Sequence, residues 1–207
     1  MYKNGYYRLW LITILLLICK PTIVHCKLMT EVMEETNAFV ESSYIRPSLY
    51  KFMMVVDGIE DKLYDDIGRP VFSYDSKHVA YKAKNGKVWC IVLDGKEGEK
   101  MYEEILDLQF SPDSKQVALI TKENHKCSVV VDGEEWQQYD YISDLTFSPD
   151  GKHLAYTAKT YNRRYEFIVA DGIEGKKYDR ISQPFFSFNS KRLGFVAYEN
   201  RKGFVVI

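Results

Sequence analysis

The 207 residues are 46% hydrophobic and 14% aromatic, enough for a sizeable core in one large all-β domain or two small ones. Acidic and basic residues nearly balance, and a net charge of -1 excludes the basic footprint of a nucleic-acid-binding protein. No basic run marks a membrane-surface patch either.

The chain opens with MYKNGYYRLWLITILLLICKPTIVHC, residues 1–26. Lys3 and Arg8 precede an apolar run over residues 9–19, which Lys20 and Pro21 break. A run this short behind a positive start fits a secretory signal peptide better than a membrane span, which needs about 20 residues. A cut after Cys26, an uncleaved signal anchor and a lipoprotein-type Cys26 all put the remaining chain across a membrane, so we expect export, with membrane contact only through this segment. A buried apolar strand is the remaining reading. Residues 27–50 form a separate lead-in. Thr30 suits a helix cap, Glu31, Glu34 and Glu35 suit the positive end of a helix, and Pro47 stops one. The expectation is a short helix over residues 30–42.

From residue 51 a repeat governs the chain to residue 207. FSYDSKHVAY begins at Phe72, and near-copies begin at Phe110 (FSPDSKQVAL), Phe147 (FSPDGKHLAY) and Phe186 (FSFNSKRLGF). Asp-Gly recurs on the same beat at Asp57, Asp94, Asp132 and Asp171. A third phrase, Tyr-acidic-x-Ile, recurs from Tyr64, Tyr102, Tyr139 and Tyr178. A fixed period of this size, about 38 residues, marks a repeat architecture. Each unit parses into four strands. Phe-Ser ends a short first strand, and Pro112-Asp113-Ser114 or Pro149-Asp150-Gly151 forms a tight turn. A second, alternating strand follows, as in Gln116-Val117-Ala118-Leu119. The third strand is almost continuously apolar, over residues 88–93, 127–131, 165–170 and 204–207, which implies cover on both faces. Asp-Gly then turns the chain into a more polar fourth strand that carries Tyr-acidic-x-Ile. Four-stranded units with inner strands sandwiched on both faces describe an all-β, β-propeller-like array of four repeats.

The phrases F-S-P-D-S/G-K, then a short apolar strand with Ala-Tyr, then V-V-D-G, resemble the repeats of TolB-like β-propellers, also called WD-like propeller repeats. Residues 110–115 and 147–152 match best. Tyr74 stands for the proline in the first unit, and Phe188-Asn189 for Pro-Asp in the last. The resemblance implies rings of six or more blades, whereas this chain holds four repeats. It also extends to propellers attached to prolyl-oligopeptidase-type hydrolases, but no G-x-S-x-G occurs. The last unit stops in its third strand. Two closures therefore stand side by side: residues 59–67 complete the last unit and shut a four-bladed ring, or the repeats form an open arc whose ends pair edge to edge with a second copy.

Chemistry-bearing residues are few. Asp65, Glu103, Asp140 and Asp179 recur once per unit and would ring a central axis, where they suit a cation or a basic peptide. Their plainer role is to satisfy backbone donors or to pair with a lysine of the same blade. Trp136, just after Asp132-Gly133, is the aromatic best placed for a binding face, with Trp89, Tyr161 and Tyr165 also near loops, and packing between blades is its plainer role. His78 and His153 share a slot that holds Gln116 and Arg192 elsewhere, which reads as a solvated strand position and no metal site. Cys90 and Cys127 lie one position out of phase, so they point to opposite faces of neighbouring units. We read them as buried free thiols. No cofactor is implied. The expectation is an exported propeller that binds a protein or other macromolecule through loops on one face, without catalysis. The competing expectations are a small enzyme using the recurring acids, which requires two of them in one concave pocket with raised pKa, and a non-functional fragment of a longer propeller.

Overall fold

Asp-Gly sets the hairpins. Asp57, Asp94, Asp132 and Asp171 have φ of 51, 50, 49 and 48°, and the glycines after them 79, 74, 89 and 79°. Positive φ at both central residues makes the type I′ turn, whose twist matches that of paired strands. The aspartates also bind the neighbouring strand. Oδ1 of Asp94, Asp132 and Asp171 accepts the N–H of Val79, Val117 and Leu154, each at 2.9 Å. The F-S-x-D phrase builds a second turn. Ser111 Oγ donates to Asp113 Oδ1 at 2.6 Å and accepts the Gln116 N–H at 2.9 Å. Ser73, Ser148 and Ser187 repeat that pattern, with Asn189 in place of the acid in the last copy.

The computed structural model describes residues 24–30, 50–160 and 165–207, and every regular element among them is a strand. Five sheets succeed one another along the chain. Sheet one holds β1 (Val24–Thr30), β2 (Tyr50–Val56) and β3 (Ile59–Glu60). Sheet two holds β4 (Asp66–Ile67), β5 (Val71–Phe72), β6 (Val79–Asn85), β7 (Val88–Leu93) and β8 (Lys96–Glu97). Sheet three runs β9 (Glu104–Phe110), β10 (Val117–Glu123), β11 (Lys126–Val131) and β12 (Glu134–Glu135). Sheet four runs β13 (Tyr141–Phe147), β14 (Leu154–Lys159), β15 (Glu166–Ala170) and β16 (Ile173–Glu174). Sheet five holds β17 (Arg180–Ile181), β18 (Phe185–Phe186), β19 (Leu193–Glu199) and β20 (Lys202–Val206). β4 and β5 both pair with β6, and β17 and β18 both pair with β19. Each couple is one first strand interrupted at Pro70 or Pro184, because proline has no N–H to give the ladder. β9 and β13 carry leucine there and pass through as bulged seven-residue strands.

Three features correct the four-unit parse. Sheets two to four have all four strand positions, while among the described residues sheet one has no first strand and sheet five no fourth. Tyr-acidic-x-Ile does not lie in one strand. Tyr64, Tyr102, Tyr139 and Tyr178 close one sheet by bridging Phe52, Trp89, Cys127 and Glu166. The isoleucines Ile67, Ile105, Ile142 and Ile181 then belong to the first strand of the next sheet. The phrase is thus the crossing between sheets. Finally, among the described residues no strand of sheet one pairs with sheet five, so those sheets form an open array. The expected signal segment over residues 1–26 and lead-in over 27–50 lie outside the described residues apart from 24–30 and Tyr50, which belong to β1 and β2. The helix expected over 30–42 lies outside them except for Thr30, which ends β1, and Tyr161 lies outside them too.

The core is four seams between successive sheets. Met54 and Tyr64 meet Tyr81, Ala83, Cys90 and Val92 between sheets one and two. Ala80 and Tyr102 meet Ile105, Leu108, Phe110, Leu119 and Val130 between two and three. Ile120, Cys127, Val129 and Tyr139 meet Ile142, Tyr156, Phe167 and Val169 between three and four. Ala155, Ile168 and Tyr178 meet Ile181 and Ala197 between four and five. Alternate residues of one strand therefore serve opposite seams, which explains the continuous apolar third strands. Cys90 and Cys127 sit in different seams, both buried and not joined by a disulfide. Each fully buried aliphatic side chain contributes on the order of 1.5–3 kcal/mol.

Polar bonds lace the seams as well. Asp75 N–H donates to Ser114 Oγ at 2.9 Å across seam two–three, and Asp150 N–H to Ser190 Oγ at 3.0 Å across seam four–five. In seam three–four Gly151 replaces that serine, and a Cβ there would come within 2.6 Å of Asp113 Oδ1. Along the outer rim Lys62 pairs with Glu97 and Lys100 with Glu135, each at 2.5 Å, and Gln137 Nε2 donates to Glu174 at 3.3 Å.

Candidate functional site

The recurring acids all work at sheet crossings. Asp65 Oδ2 accepts the Gly86 N–H at 2.7 Å, Glu103 Oε2 the Asn124 N–H at 3.0 Å, and Asp179 Oδ2 the Asn200 N–H at 2.9 Å. Each acid thereby caps the hairpin between the second and third strands of the next sheet. Asp65 also takes Lys51 Nζ at 2.7 Å, and Asp140 takes Lys126 Nζ, so a lysine of the preceding sheet holds the same carboxylate. The Lys51 hydrogen bond, then that of Gly86, holds the Asp65 carboxyl below its ordinary range. The acids serve four different crossings and line none of the three cavities at the seams.

Trp136 lies in seam three–four. Its indole packs against the core cluster there, 6.3 Å from the Tyr156 ring. His78 Nδ1 lies 2.7 Å from Asp94 Oδ2, and His153 Nδ1 lies 2.8 Å from Asp171 Oδ2. The histidines thus extend the Asp-Gly clamp onto the second strand. Among the described residues no group of three or more His, Cys, Asp or Glu side chains is arranged to hold a metal ion.

Cavities open at three seams on the Asp-Gly side or beside the F-S-x-D turns. One of about 390 Å³ lies between sheets one and two, with Asp61, His78, Tyr81 and Asp94 in its wall. Burial, then the adjacent Asp61 carboxylate that accepts its hydroxyl, pushes the Tyr81 pKa upward. One of about 570 Å³ lies between sheets two and three, around Gly98 and Leu119. One of about 440 Å³ lies between sheets four and five, bounded by Phe147, Pro149, Pro184 and Phe185.

The largest departure from the repeat is the outward face of sheet five. The register pairs Val196 with Val205 and Tyr198 with Gly203, and these share a face with Ile207 by alternation. In sheet three the matching pair, Ile120 and Val129, is 3% and 0% exposed. In sheet five Val205 is 62%, Ile207 75% and Tyr198 44% exposed, with Phe185 at 55% on the neighbouring first strand. The free edge lies beside it. β2, β7, β11 and β15 each pair with an outer strand, whereas among the described residues β20 pairs only with β19. Sequence reasoning identified the missing fourth strand but not the bare face, because the apolar positions of β20 read like those of its buried counterparts.

Neither a family model nor a curated protein matches the chain. Similar solved structures include TolB from Acinetobacter baumannii, 16% identical over 76% of this chain and 46% of that one, with a TM-score of 0.45. The β-propeller domain of the Trilobed protease from Pyrococcus furiosus, described as having an open velcro topology, is 14% identical over 74% of this chain and 63% of its own, with a TM-score of 0.47. An acylaminoacyl peptidase from Pyrococcus horikoshii is 16% identical over 75% and 34% of the two chains, with a TM-score of 0.46. In each case the match spans less than two thirds of the solved chain. The expectation of a non-catalytic scaffold binding through loops on one face is corrected here. The similar structures include the propeller domain of a protease and an acylaminoacyl peptidase, so the likeness leaves the activity open. In its repeat phrases and its successive four-stranded sheets, the chain is similar to TolB-like β-propellers.

Proposed function

We propose that the chain is one arc of a propeller-like ring, completed by a second copy joined head to tail. The bare outward face of sheet five carries this reading. It presents apolar residues at the positions that seal every internal seam, beside a strand edge that no described residue pairs with. Exposed apolar faces and open edges are surfaces that proteins normally cover. Charge favours the opposite end of a second copy as the cover. Residues 180–207 hold five basic side chains and one acid, while residues 50–67 hold five acids and two lysines. Head-to-tail contacts that close on themselves give rings of defined size. The positive start and short apolar run of residues 1–19 support an exported assembly.

Light scattering after gel filtration tests the proposal. The full chain is expected to run as a discrete multiple of 24.2 kDa. Val205→Glu should reduce it to the monomer without changing its β-sheet circular dichroism, because Val205 supports no internal seam. A wild-type monomer that matches the variant in mass overturns the proposal.

A further inference from the structure

One slot finishes each seam. Asp61, Gly98, Trp136 and Gly175 occupy it, and all four donate the same backbone hydrogen bond, to the carbonyls of Met54, Ile91, Val129 and Ile168 at 3.0, 2.8, 2.8 and 2.8 Å. The residue facing the slot from the next sheet is Tyr81, Leu119, Tyr156 or Phe195. Asp61 accepts the Tyr81 hydroxyl, and Trp136 lays its indole beside Tyr156. Gly98 and Leu119 do neither, and a cleft of about 570 Å³ remains. Ligand sites commonly occupy roughly 300–1,000 Å³.

The walls of this cleft match the surroundings of Trp136 position by position. Ile91, Leu93, Val117, Leu119 and Val130 line it. Val129, Val131, Leu154, Tyr156 and Val169 are their counterparts in the core of seam three–four. Leu93 is 36% exposed where its counterpart Val131 is 9%. The cleft is therefore an indole-sized place with its indole missing. Its rim carries charge: Asp94, Glu97 and Asp132 against Lys96. Asp94 is held by His78 and Glu97 by Lys62. Asp132 uses Oδ1 for the Val117 N–H, and Gln116 stands where sheets two and four place a histidine on the second oxygen.

We propose that the Gly98 cleft binds a small aromatic cation of indole size, its ring against Ile91 and Leu119 and its ammonium group facing Asp132. Calorimetric titration of the full chain with tryptamine and with indole-3-acetate tests this. Tryptamine should bind about two- to fivefold more tightly, as one solvent-exposed ion pair allows. Asp132→Asn keeps the Oδ1 acceptor and should bring the two ligands level. A Cβ on Gly98 would approach Ile91 Cγ2 to 2.9 Å, and the slot is therefore filled with the pair Ile91→Val and Gly98→Trp, which copies Val129 and Trp136, the arrangement that already accommodates an indole in seam three–four. That double variant should lose tryptamine binding and keep its melting temperature. Should it not fold, methyl resonances decide: tryptamine must shift those of Ile91, Leu93 and Leu119. No binding, unchanged binding in the folded double variant, unaltered discrimination in Asp132→Asn, or shifts confined to other residues overturns the proposal.

Discussion

Val129 and Val205 hold the same place on the third strands of sheets three and five, opposite Ile120 and Val196. One is 0% exposed and the other 62%. Their sequences, KCSVVV and KGFVVI, differ little in apolar character. The difference lies in the neighbouring sheet: sheet four covers β11, and nothing among the described residues covers β20. Burial in a stacked array is a property of the neighbour as much as of the residue, because each sheet contributes a face that only the next sheet can close.

The comparison breaks most sharply with a charge. Val129→Asp puts a carboxylate into seam three–four without a partner, and should cost several kcal/mol or abolish folding. In the single chain, at protein concentrations too low for assembly, Val205→Asp places the same group in water and should shift the denaturation midpoint by less than about 1 kcal/mol. Urea unfolding of both variants checks this. Equal losses would mean that the outward face of sheet five is sealed in the isolated chain.

A smaller effect separates the seams that a serine crosses from seam three–four, where Gly151 stands in its place. Ser114→Ala removes the Oγ that accepts the Asp75 N–H across seam two–three. The expected loss is about 1 kcal/mol, the usual net worth of one such bond. The local turn survives, since the Ser114 N–H bond to Ser111 O at 2.8 Å belongs to the backbone. Ser190→Ala should act alike at seam four–five. Gly151→Ser should destabilise instead, because Asp113 already fills that space. A neutral Ser114→Ala would remove the serine from any role in stacking.

These cases show what the sequence exposes and what it hides. The period, the Asp-Gly turns and the opposed cysteines were readable, because each depends on residues adjacent in the chain or on strand alternation. The backbone-capping role of Asp65, Glu103 and Asp179 was among the roles weighed for them. The crossing at Tyr-acidic-x-Ile was not readable. A phrase that recurs at one period does not say where the chain leaves one sheet for the next, and the outer strands are only two residues long. The bonds from Asp75 to Ser114 and from Asp150 to Ser190 join residues 39 and 40 apart, so the serine looked like turn chemistry alone. The Gly98 cleft was equally hidden. Its openness depends on Leu119 facing a glycine, a pairing that only stacking creates.

The rim offers the finest contrast, between a charged pair at Lys100 and Glu135 and a neutral amide at Gln137 and Glu174. The Lys100 hydrogen bond, helped by those of Gln138 and Ser128, draws the Glu135 pKa down to about 2. An unfolded glutamate titrates near 4.3, so the folded state holds the proton less tightly. The stabilisation from Glu135 is therefore complete above about pH 4.3 and is lost as pH falls toward 2. Glu135→Gln should remove that part of the acid sensitivity. Its side chain is 27% exposed and that of Lys100 44%, so the effect should stay within about 1 kcal/mol and shrink in high salt. Urea midpoints at pH 7 and pH 3 measure it. The variant should lose less stability than the wild type on going to pH 3, and an equal loss in both would mean that Lys100 does not hold Glu135 in solution.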